Sequence, residues 1–221
     1  MFSAWTTAEL TIGPLEVIIV DDNSPDGTGL VADELARDRR ITVIHRPGRM
    51  GLGTAVLDGF AAATGDIVAI MDADLSHPPE LLVSLCETLE QAGTDICVGS
   101  RYVAGGGTAS WSRWRLLLSK VACWLARPLT PVRDATSGFL VARRESMQGI
   151  GDGTRGFKIG LELLVRAAPV AVSEVPYVFV GRAAGKSKMS ALEGLRYLRQ
   201  LATLYLRDVS ARRPVPRPQR P

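Results

Sequence analysis

The chain is poor in cysteine and in long apolar runs, and both shortages narrow its class. Its 221 residues include three cysteines, Cys86, Cys97 and Cys123, without the spacing of a disulfide framework or a zinc site. They are predicted to be small buried thiols, which fits a reducing, cytosolic environment. No apolar run approaches the ~18–20 residues of a membrane-spanning helix, and the sequence shows neither a secretory signal nor an internal repeat.

The chain also has few lysines and a small net charge. There are only four lysines, and the formal net charge is +3, a mild value that does not by itself argue for nucleic acid. No nucleic-acid partner is predicted. With 46% apolar and 22% charged residues, the chain is not disordered and is long enough for a large α/β domain. We expect residues 1–208 to form that domain and residues 209–221, rich in proline and arginine, to be unfolded.

Strand and helix patterns alternate through the first half of the sequence. Strands are predicted at 16–20, 41–44, 67–71 and 96–99, and helices at 29–39, 51–63 and 78–91. This alternation favours an α/β fold with a mainly parallel sheet flanked by helices. The second half predicts helices at 112–127, 157–168 and 191–207, a strand at 139–142, an extended stretch at 170–180 and a basic loop at 181–190.

Two aspartates separated by one residue, Asp72 and Asp74, are the most informative feature. They follow the apolar run 67–71 and precede a pair of prolines, the pattern of a buried strand that ends abruptly. Ligands bind at the carboxyl ends of strands in open α/β sheets. Adjacent carboxylates are costly unless a cation joins them. We therefore predict a divalent metal, Mg²⁺ or Mn²⁺, held by Asp74 with Asp72 or Ser76 and shared with a phosphorylated substrate.

Further polar residues follow other strands. Asp22 ends the first strand within strong turn chemistry and could accept hydrogen bonds from a ribose or base, although a solvated turn and helix cap is the alternative. Gly51 and Gly53 lie at the start of a predicted helix. There they would allow either a phosphate to approach the backbone or neighbouring elements to pack closely. Arg101 follows the fourth strand and could hold a phosphate; an exposed arginine with a surface partner is the alternative.

Cationic side chains in the second half suggest two further contacts. The loop 181–190 holds Arg182 and Lys188 and is either a merely solvated loop or one that closes over a phosphate. The helices at 112–127 and 191–207 interleave aromatic residues and leucine with arginine or lysine. That composition favours a membrane surface, and packing of one face in the core is the alternative.

Six short motifs occur in a fixed order: EVIIVDDNSPDGT at 16–28, GLGTA at 51–55, MDADLSHP at 71–78, GSRY at 99–102, TSGF at 136–139 and GKSK at 185–188. Together they resemble glycosyltransferase family 2, and within it the dolichol- or polyprenol-phosphate mannose synthases. The resemblance covers roughly residues 15–207. It implies a GT-A fold and inverting transfer of mannose from GDP-mannose to a polyprenyl (dolichyl) phosphate, at the cytoplasmic face of a membrane and with a membrane-protein partner as an option.

The resemblance also assigns roles to residues. It implies nucleoside contacts from Val20 and Asp22. It implies that three residues lie along the sugar diphosphate and the metal: Asp72, Ala73 and Asp74. It places Ser76 beside them, at a position where some relatives carry glutamine. It implies phosphate contacts from Arg101, Arg182 and Lys188. Since the acceptor is already an anionic phosphate oxygen, no strong general base is expected, and positioning by cations is what the reaction needs.

One departure from the family concerns the sheet. Relatives have a strand carrying Pro-x-Tyr-Asn-Glu and a helix before the strand that ends in Asp21-Asp22, and here only 15 residues precede that strand. Loss of an inner strand exposes apolar faces and an unpaired edge. We therefore expect this chain to be less stable and to bind GDP weakly.

Three other interpretations stay open. The donor could be UDP-glucose or another nucleotide sugar, with a polyprenyl phosphate still the acceptor. The run Ile18-Ile19-Val20-Asp21-Asp22 also resembles the acidic pocket of a signalling receiver domain, but that leaves Asp74, Arg101 and about a hundred residues unexplained. Finally, the chain could be a non-catalytic subunit that keeps only the fold and the membrane contacts.

Overall fold

The structure, a computed structural model, describes residues 11–37, 40–74, 76–109, 111–147, 158–166, 170–181 and 191–211. In the last helix, side chains are described for residues 192–206. The predicted basic loop therefore lies outside the described residues, apart from Gly181.

Eight strands and six α-helices are present in the described part of the chain. The strands are β1 (Val17–Asp21), β2 (Ile41–His45), β3 (Ile67–Ile70), β4 (Ile96–Ser100), β5 (Gly107–Thr108), β6 (Leu140–Arg143), β7 (Val172–Pro176) and β8 (Val178–Phe179). The helices are α1 (Thr28–Ala36), α2 (Leu52–Ala62), α3 (Leu81–Gln91), α4 (Arg113–Ala126), α5 (Ile159–Arg166) and α6 (Ala191–Ala211), and a 3₁₀ turn spans Arg144–Met147. None of these helices is both long and apolar enough to cross a membrane.

The sheet pairings are mixed. β1 pairs with β2 in parallel, as β4 does with β7 and β5 with β8. β6 lies between β3 and β4 and is antiparallel to both. β3 and β4 consequently run in the same direction and end at the same edge of the four-stranded sheet β3-β6-β4-β7. The predicted α/β fold with a mixed, mainly parallel sheet is confirmed.

The core lies around β4 and β6. All five residues of β4 are buried, and so are the first three of β6. α2 and α5 cover one side, where Phe60 and Leu163 join the cluster around Ile96. α3 covers the other side, where Leu85 and Leu89 pack with Phe139. This rigid centre holds in place the loops that follow β3 and β4.

The sheet is interrupted between β1 and β3. Among the described residues these strands belong to separate sheets, and no residue of β3 is fully buried. Glu16 connects the two, since its carboxylate accepts hydrogen bonds from the amide of Gly65 and the hydroxyl of Thr64, each at 2.9 Å. The expected unpaired inner edge is thus present in the described part of the chain.

Several predicted boundaries differ from the structure by one to four residues, and two of these differences have a clear physical cause. The helix predicted from residue 78 begins at Leu81, because Pro78 and Pro79 form a turn whose carbonyls accept the amides of Leu81 and Leu82. The last helix runs to Ala211, so the predicted unfolded tail from residue 209 starts too early. Arginine and alanine favour helix, whereas the prolines that would stop it come only after residue 213. Residues 212–221 lie outside the described residues.

Candidate functional site

The acidic pair occupies the turn that follows β3. Asp72 and Asp74 are both half-buried, whereas Ala73 between them is exposed. The Asp74 carboxylate accepts the backbone amide of Ser76 at 3.0 Å. Gly138 leaves room beside Asp72, since a side chain built there would begin 4.0 Å from both carboxylate oxygens. The turn therefore places two hard oxygen donors at the carboxyl edge of the sheet, as predicted.

The donor set suits a cation that is shared with a substrate. Within the described residues, no three histidine, cysteine, aspartate or glutamate side chains form a complete metal site. Mg²⁺ and its like usually take one or two carboxylates and complete their shell with substrate phosphates and water. Ser76 is buried, and its hydroxyl makes no hydrogen bond within the described part of the chain. The residues present thus fit a divalent cation with Asp72, Asp74 and Ser76 as the candidate ligands.

His77 supports this turn from behind. Its Nδ1 accepts the backbone amide of Asp72 at 3.0 Å, so the neutral ring carries its proton on Nε2. The ring stacks on Phe139, with centroids 4.9 Å apart and an interplanar angle of 16°. Burial is the main cause that lowers the pKa of His77, against the opposing charges of the two aspartates. His77 is a neutral support for the backbone of Asp72.

Arg101 lies at the end of β4 in a buried ion pair. Its Nε and Nη2 donate to the two carboxylate oxygens of Asp134, each at 2.6 Å, and Nη2 also donates to Thr136 at 3.0 Å. Asp134 is fully buried and also accepts the backbone amide of Arg101. Burial alone would lower the pKa of Arg101, but the hydrogen bonds and charge of Asp134 outweigh it and raise that pKa. Neither of the two roles weighed from the sequence anticipated a buried partner.

The acidic turn and Arg101 lie on either side of one aromatic ring. The ring of His77, which accepts the Asp72 amide, has its centroid 6.1 Å from that of Phe179. The Arg101 guanidinium lies 5.9 Å from the centroid of the same Phe179 ring. The structure therefore brings together the carboxylates at the end of β3 and the guanidinium at the end of β4.

Lys158 is a further basic residue in this region that sequence analysis missed. Burial lowers the pKa of its ammonium, the charge of Arg101 lowers it further, and Asp72 and Asp134 act in the opposite direction. Its backbone is held by Gln200, which accepts the Lys158 amide at 3.0 Å and donates to its carbonyl at 2.9 Å. Lys158 directly precedes α5, so no apolar pattern marked it, although it is one of only four lysines.

An open groove of about 640 Å³ adjoins Arg101. It lies between one side of α4 and the segment that joins β4 to β5. Its basic lining consists of Arg101, Lys120, Arg127 and Arg133, and Tyr102, Leu116 and Trp124 supply apolar walls. A groove lined by cationic side chains and aromatic walls suits a ligand with an anionic headgroup attached to an apolar chain.

The predicted nucleoside contacts lie at the end of β1. Asp22 forms an ion pair of 2.7 Å with Arg46, a residue that sequence analysis did not single out. The Val20 side chain points toward α2, since a side chain built at Gly59 would lie 3.4 Å from it. The register of β1 against β2 leaves the Val20 amide and carbonyl on the strand edge away from β2. Arg182 and Lys188 lie outside the described residues.

Large apolar side chains are exposed along α4 and α6. On α4, Trp114 is 67% and Trp124 71% exposed, with Leu117 and Val121 between them. On α6 the exposed set is Leu192, Leu195, Leu198 and Leu206. The inner faces of both helices pack together, and the Tyr197 hydroxyl donates to the Ala122 carbonyl at 2.7 Å. Core packing is thus present on the inner faces of the helices, whereas contact of the exposed faces with a membrane surface stays a prediction.

Comparison with known proteins identifies relatives. A model described as glycosyl transferase family 2 matches residues 5–151. A dolichol-phosphate mannosyltransferase from Pyrococcus furiosus is 41% identical over 193 residues, which is 86% of this chain and 54% of that protein. One from Saccharomyces cerevisiae is 39% identical over 201 residues, 86% of this chain and 74% of that protein. The chain thus spans about half the length of the Pyrococcus relative.

Solved structures of low sequence identity share the fold. A mannosyltransferase from Pyrobaculum calidifontis, solved with GDP-Man and Mn²⁺, has a TM-score of 0.64 at 18% identity. The match covers 96% of this chain and 62% of the mannosyltransferase chain. Glucosyl-3-phosphoglycerate synthase from Mycobacterium tuberculosis, solved with Mn²⁺, UDP and glucosyl-3-phosphoglycerate, has a TM-score of 0.62 at 24% identity. The match covers 90% of this chain and 70% of the synthase chain. Both comparisons support the fold alone.

Proposed function

The chain belongs to glycosyltransferase family 2, and on that basis we propose that it transfers mannose from GDP-mannose to a polyprenyl phosphate, with inversion at the anomeric carbon. In this reaction the bond from the sugar C1 to the GDP oxygen breaks, and its electron pair leaves on GDP. A phosphate oxygen of the acceptor forms the new bond to C1. The observation that carries the proposal is that Asp72 and Asp74 follow β3 and Arg101 follows β4, at the same edge of one sheet.

The donor end of the site is assigned to the turn after β3. Asp72, Asp74 and Ser76 would hold a divalent cation, Mg²⁺ or Mn²⁺, which would neutralise negative charge on the departing diphosphate. Ala73 is exposed in the same turn and would lie along the sugar diphosphate. Two proteins of the same fold were solved with Mn²⁺, one with GDP-Man and one with UDP, and a divalent cation is proposed here by analogy with them.

The nucleoside is assigned to the end of β1. Asp22 would accept a ribose hydroxyl, and the backbone of Val20 would contact the nucleoside. Arg182 and Lys188 would bind phosphate groups of the donor or acceptor. Since the inner edge between β1 and β3 is unpaired in the described residues, we expect this chain to bind GDP more weakly than micromolar.

The acceptor end is assigned to Arg101, Lys158 and the basic groove. A phosphate monoester is already anionic, so it attacks C1 without a base to remove a proton. What it requires is alignment against an anionic donor, which fixed cations provide in a site of low polarity. Among the described contacts of Arg101, Asp134 and Thr136 engage Nε and Nη2, and we assign Nη1 to the acceptor phosphate.

The lipid tail of such an acceptor requires contact with a membrane. The exposed tryptophans and leucines of α4 and α6 alternate with basic residues, including Arg113 and Lys120. Tryptophan favours the membrane boundary, and basic side chains favour anionic headgroups. We propose that the protein attaches peripherally to the cytoplasmic face through these helices or through a membrane-protein partner. Sedimentation with vesicles that contain anionic lipid tests this, and a protein that remains in the supernatant with both vesicles and cell membranes contradicts it.

Transfer of radiolabelled mannose tests the reaction. The chain is incubated with labelled GDP-mannose, Mn²⁺ and a polyprenyl phosphate, and the label in the chloroform-soluble fraction is counted. We expect label with GDP-mannose, and none with Asp74→Ala although that variant keeps its fold. Label from UDP-glucose instead would assign another donor, and no transfer from either donor would favour a non-catalytic role.

A further inference from the structure

A single buried guanidinium joins the ends of β1 and β2 to the start of α2. Arg46 directly follows β2, and its side chain is only 3% exposed. It contacts four groups: Asp22 at 2.7 Å, Asp58 at 3.1 Å, the Thr54 hydroxyl at 2.5 Å and the Gly51 carbonyl at 3.3 Å. Asp22 follows β1, and Asp58 lies within α2, so three separate elements meet at this residue.

The guanidinium of Arg46 combines two hydrogen bonds with two ion pairs. Nη1 donates to the Gly51 carbonyl and Nη2 to the Thr54 hydroxyl, while Nη1 and Nε lie within ion-pair distance of Asp22 and Asp58. A planar guanidinium fixes the direction of its hydrogen bonds, which an ammonium cannot do. Because its side chain is only 3% exposed, Arg46 offers almost no surface to a substrate phosphate. Its effect on a ligand must pass through the groups that it holds.

Two of those groups border the assigned nucleoside site. Asp22 is partly exposed, with 27% of its side chain accessible, so it can meet a ligand while Arg46 fixes its orientation. Gly51 adopts a φ of +102°, a conformation that side chains disfavour, and Arg46 and Thr54 both bind its carbonyl. The strand end and the glycine turn are thereby locked to each other.

We propose that Arg46 is a positioning residue for donor binding: it orients Asp22 toward the nucleoside, while the Gly51 carbonyl and the Thr54 hydroxyl hold its guanidinium in place. This inference rests on the proposed function, in which Asp22 contacts the nucleoside of GDP-mannose. Asp58 is the outer support, because its carboxylate holds Nε of Arg46 from α2 and its side chain is half exposed.

A double-mutant cycle on nucleotide affinity tests the proposal. Dissociation constants for GDP with Mn²⁺ are measured by calorimetry for the wild type, Arg46→Lys, Asp22→Asn and the double variant. Arg46→Lys keeps the positive charge but loses the planar guanidinium with its fixed donor directions. We expect it to raise the dissociation constant for GDP about tenfold, which corresponds to the free energy of about one charge-assisted hydrogen bond. In the Asp22→Asn background the same change should matter less than about twofold, because the residue through which Arg46 acts is already altered.

Two further variants keep the test decisive. Asp58→Asn loosens Arg46 without touching Asp22, and it should weaken GDP binding about threefold in the wild-type background only; it replaces Arg46→Lys if that variant does not fold. Arg144→Lys is the matched control, since Arg144 also lies against α2, over the Phe60 ring, and donates to the Gly65 carbonyl. It should leave GDP affinity unchanged.

Each outcome separates the inference from the proposed function. Equal losses of affinity in both backgrounds, or a lower melting temperature with unchanged affinity, overturn the positioning role. Binding of UDP in place of GDP overturns the proposed donor, and the cycle repeated with UDP still tests Arg46. Binding of neither nucleotide overturns both.

Discussion

The ion pair between Arg101 and Asp134 predicts a large loss of stability when its charge balance is broken. Asp134 is completely buried, and only 7% of the Arg101 side chain is exposed. Asp134→Asn keeps the size of the side chain but removes its charge, and it turns one acceptor into an amide donor that faces the guanidinium. Removing one partner of a buried pair costs about 3–5 kcal/mol, because the other charge stays buried without compensation.

That cost translates into a clear change in melting temperature. For a domain of this size, 1 kcal/mol corresponds to roughly 2–4 °C, so Asp134→Asn should melt roughly 6–20 °C below the wild type. Urea unfolding followed by circular dichroism gives the free energy of unfolding directly. The matched control is Asp33→Asn, which breaks the exposed pair with His45 and should cost less than about 1 kcal/mol.

A double substitution distinguishes charge from packing. Arg101→Met with Asp134→Leu replaces both charges by apolar side chains among Tyr102, Trp111 and Phe179, the rings that surround the guanidinium. Such replacements are often neutral, so this variant should be more stable than Asp134→Asn, although it should lose transfer activity. A loss below about 1 kcal/mol in Asp134→Asn, with an unchanged dependence on urea, would refute the reasoning.

Three further predictions concern the metal turn, the link between β1 and β3, and the exposed face of α4. Asp74→Asn should lower mannose transfer at least about 100-fold, because the bound cation supplies several kcal/mol of charge stabilisation, while its melting temperature stays near that of the wild type; substantial residual transfer would count against the metal role. The pKa of Glu16 is lowered by hydrogen bonds from the amides of Thr64 and Gly65, so its contribution to stability is present above its ordinary pKa of 4.5 and lost as the pH falls through the lowered value. Because Glu16 is exposed and solvent screens its charge, Glu16→Gln should cost less than about 1 kcal/mol in urea unfolding at pH 7 and progressively less in acid, and a cost independent of pH would contradict this. Trp114→Ser should weaken binding to anionic vesicles about tenfold, whereas Leu30→Ser, equally exposed on α1, should not; equal effects would exclude α4 as the membrane face.

Much of the fold was predictable because its local patterns are strong. The apolar run 67–71 and the polar residues after it were enough to place β3 and the acidic turn at a sheet edge. The position of β6 was not predictable, since it lies between β3 and β4 and is antiparallel to both. Alternation of strands and helices specifies neighbours along the chain, but it does not show that a later strand pairs between two earlier ones.

The candidate site shows the same division. Asp72, Asp74 and Arg101 were identifiable because each follows a predicted strand. The partner of Arg101 was not, since Asp134 is 33 residues away along the chain, between a predicted helix and a predicted strand. Arg46 also follows a strand and could have been found by the rule that identified Asp22. Lys158 had no such local mark, because only the packing of α5 against Gln200 of α6 brings it to the site.

Paramagnetic broadening by Mn²⁺ in the presence of excess GDP tests the central claim most directly. Amide resonances of the chain are recorded by NMR with GDP alone and with GDP and a small amount of Mn²⁺. A cation held at the end of β3 should broaden Asp72, Ala73, Asp74 and Gly138 first, and it should affect Ile96 far less, because Ile96 lies at the opposite end of β4, about 13 Å of strand from Ser100. In Asp74→Asn the selective broadening should disappear. Selective broadening elsewhere in the chain, or the same pattern in the variant, would contradict a metal–nucleotide site at this edge of the sheet.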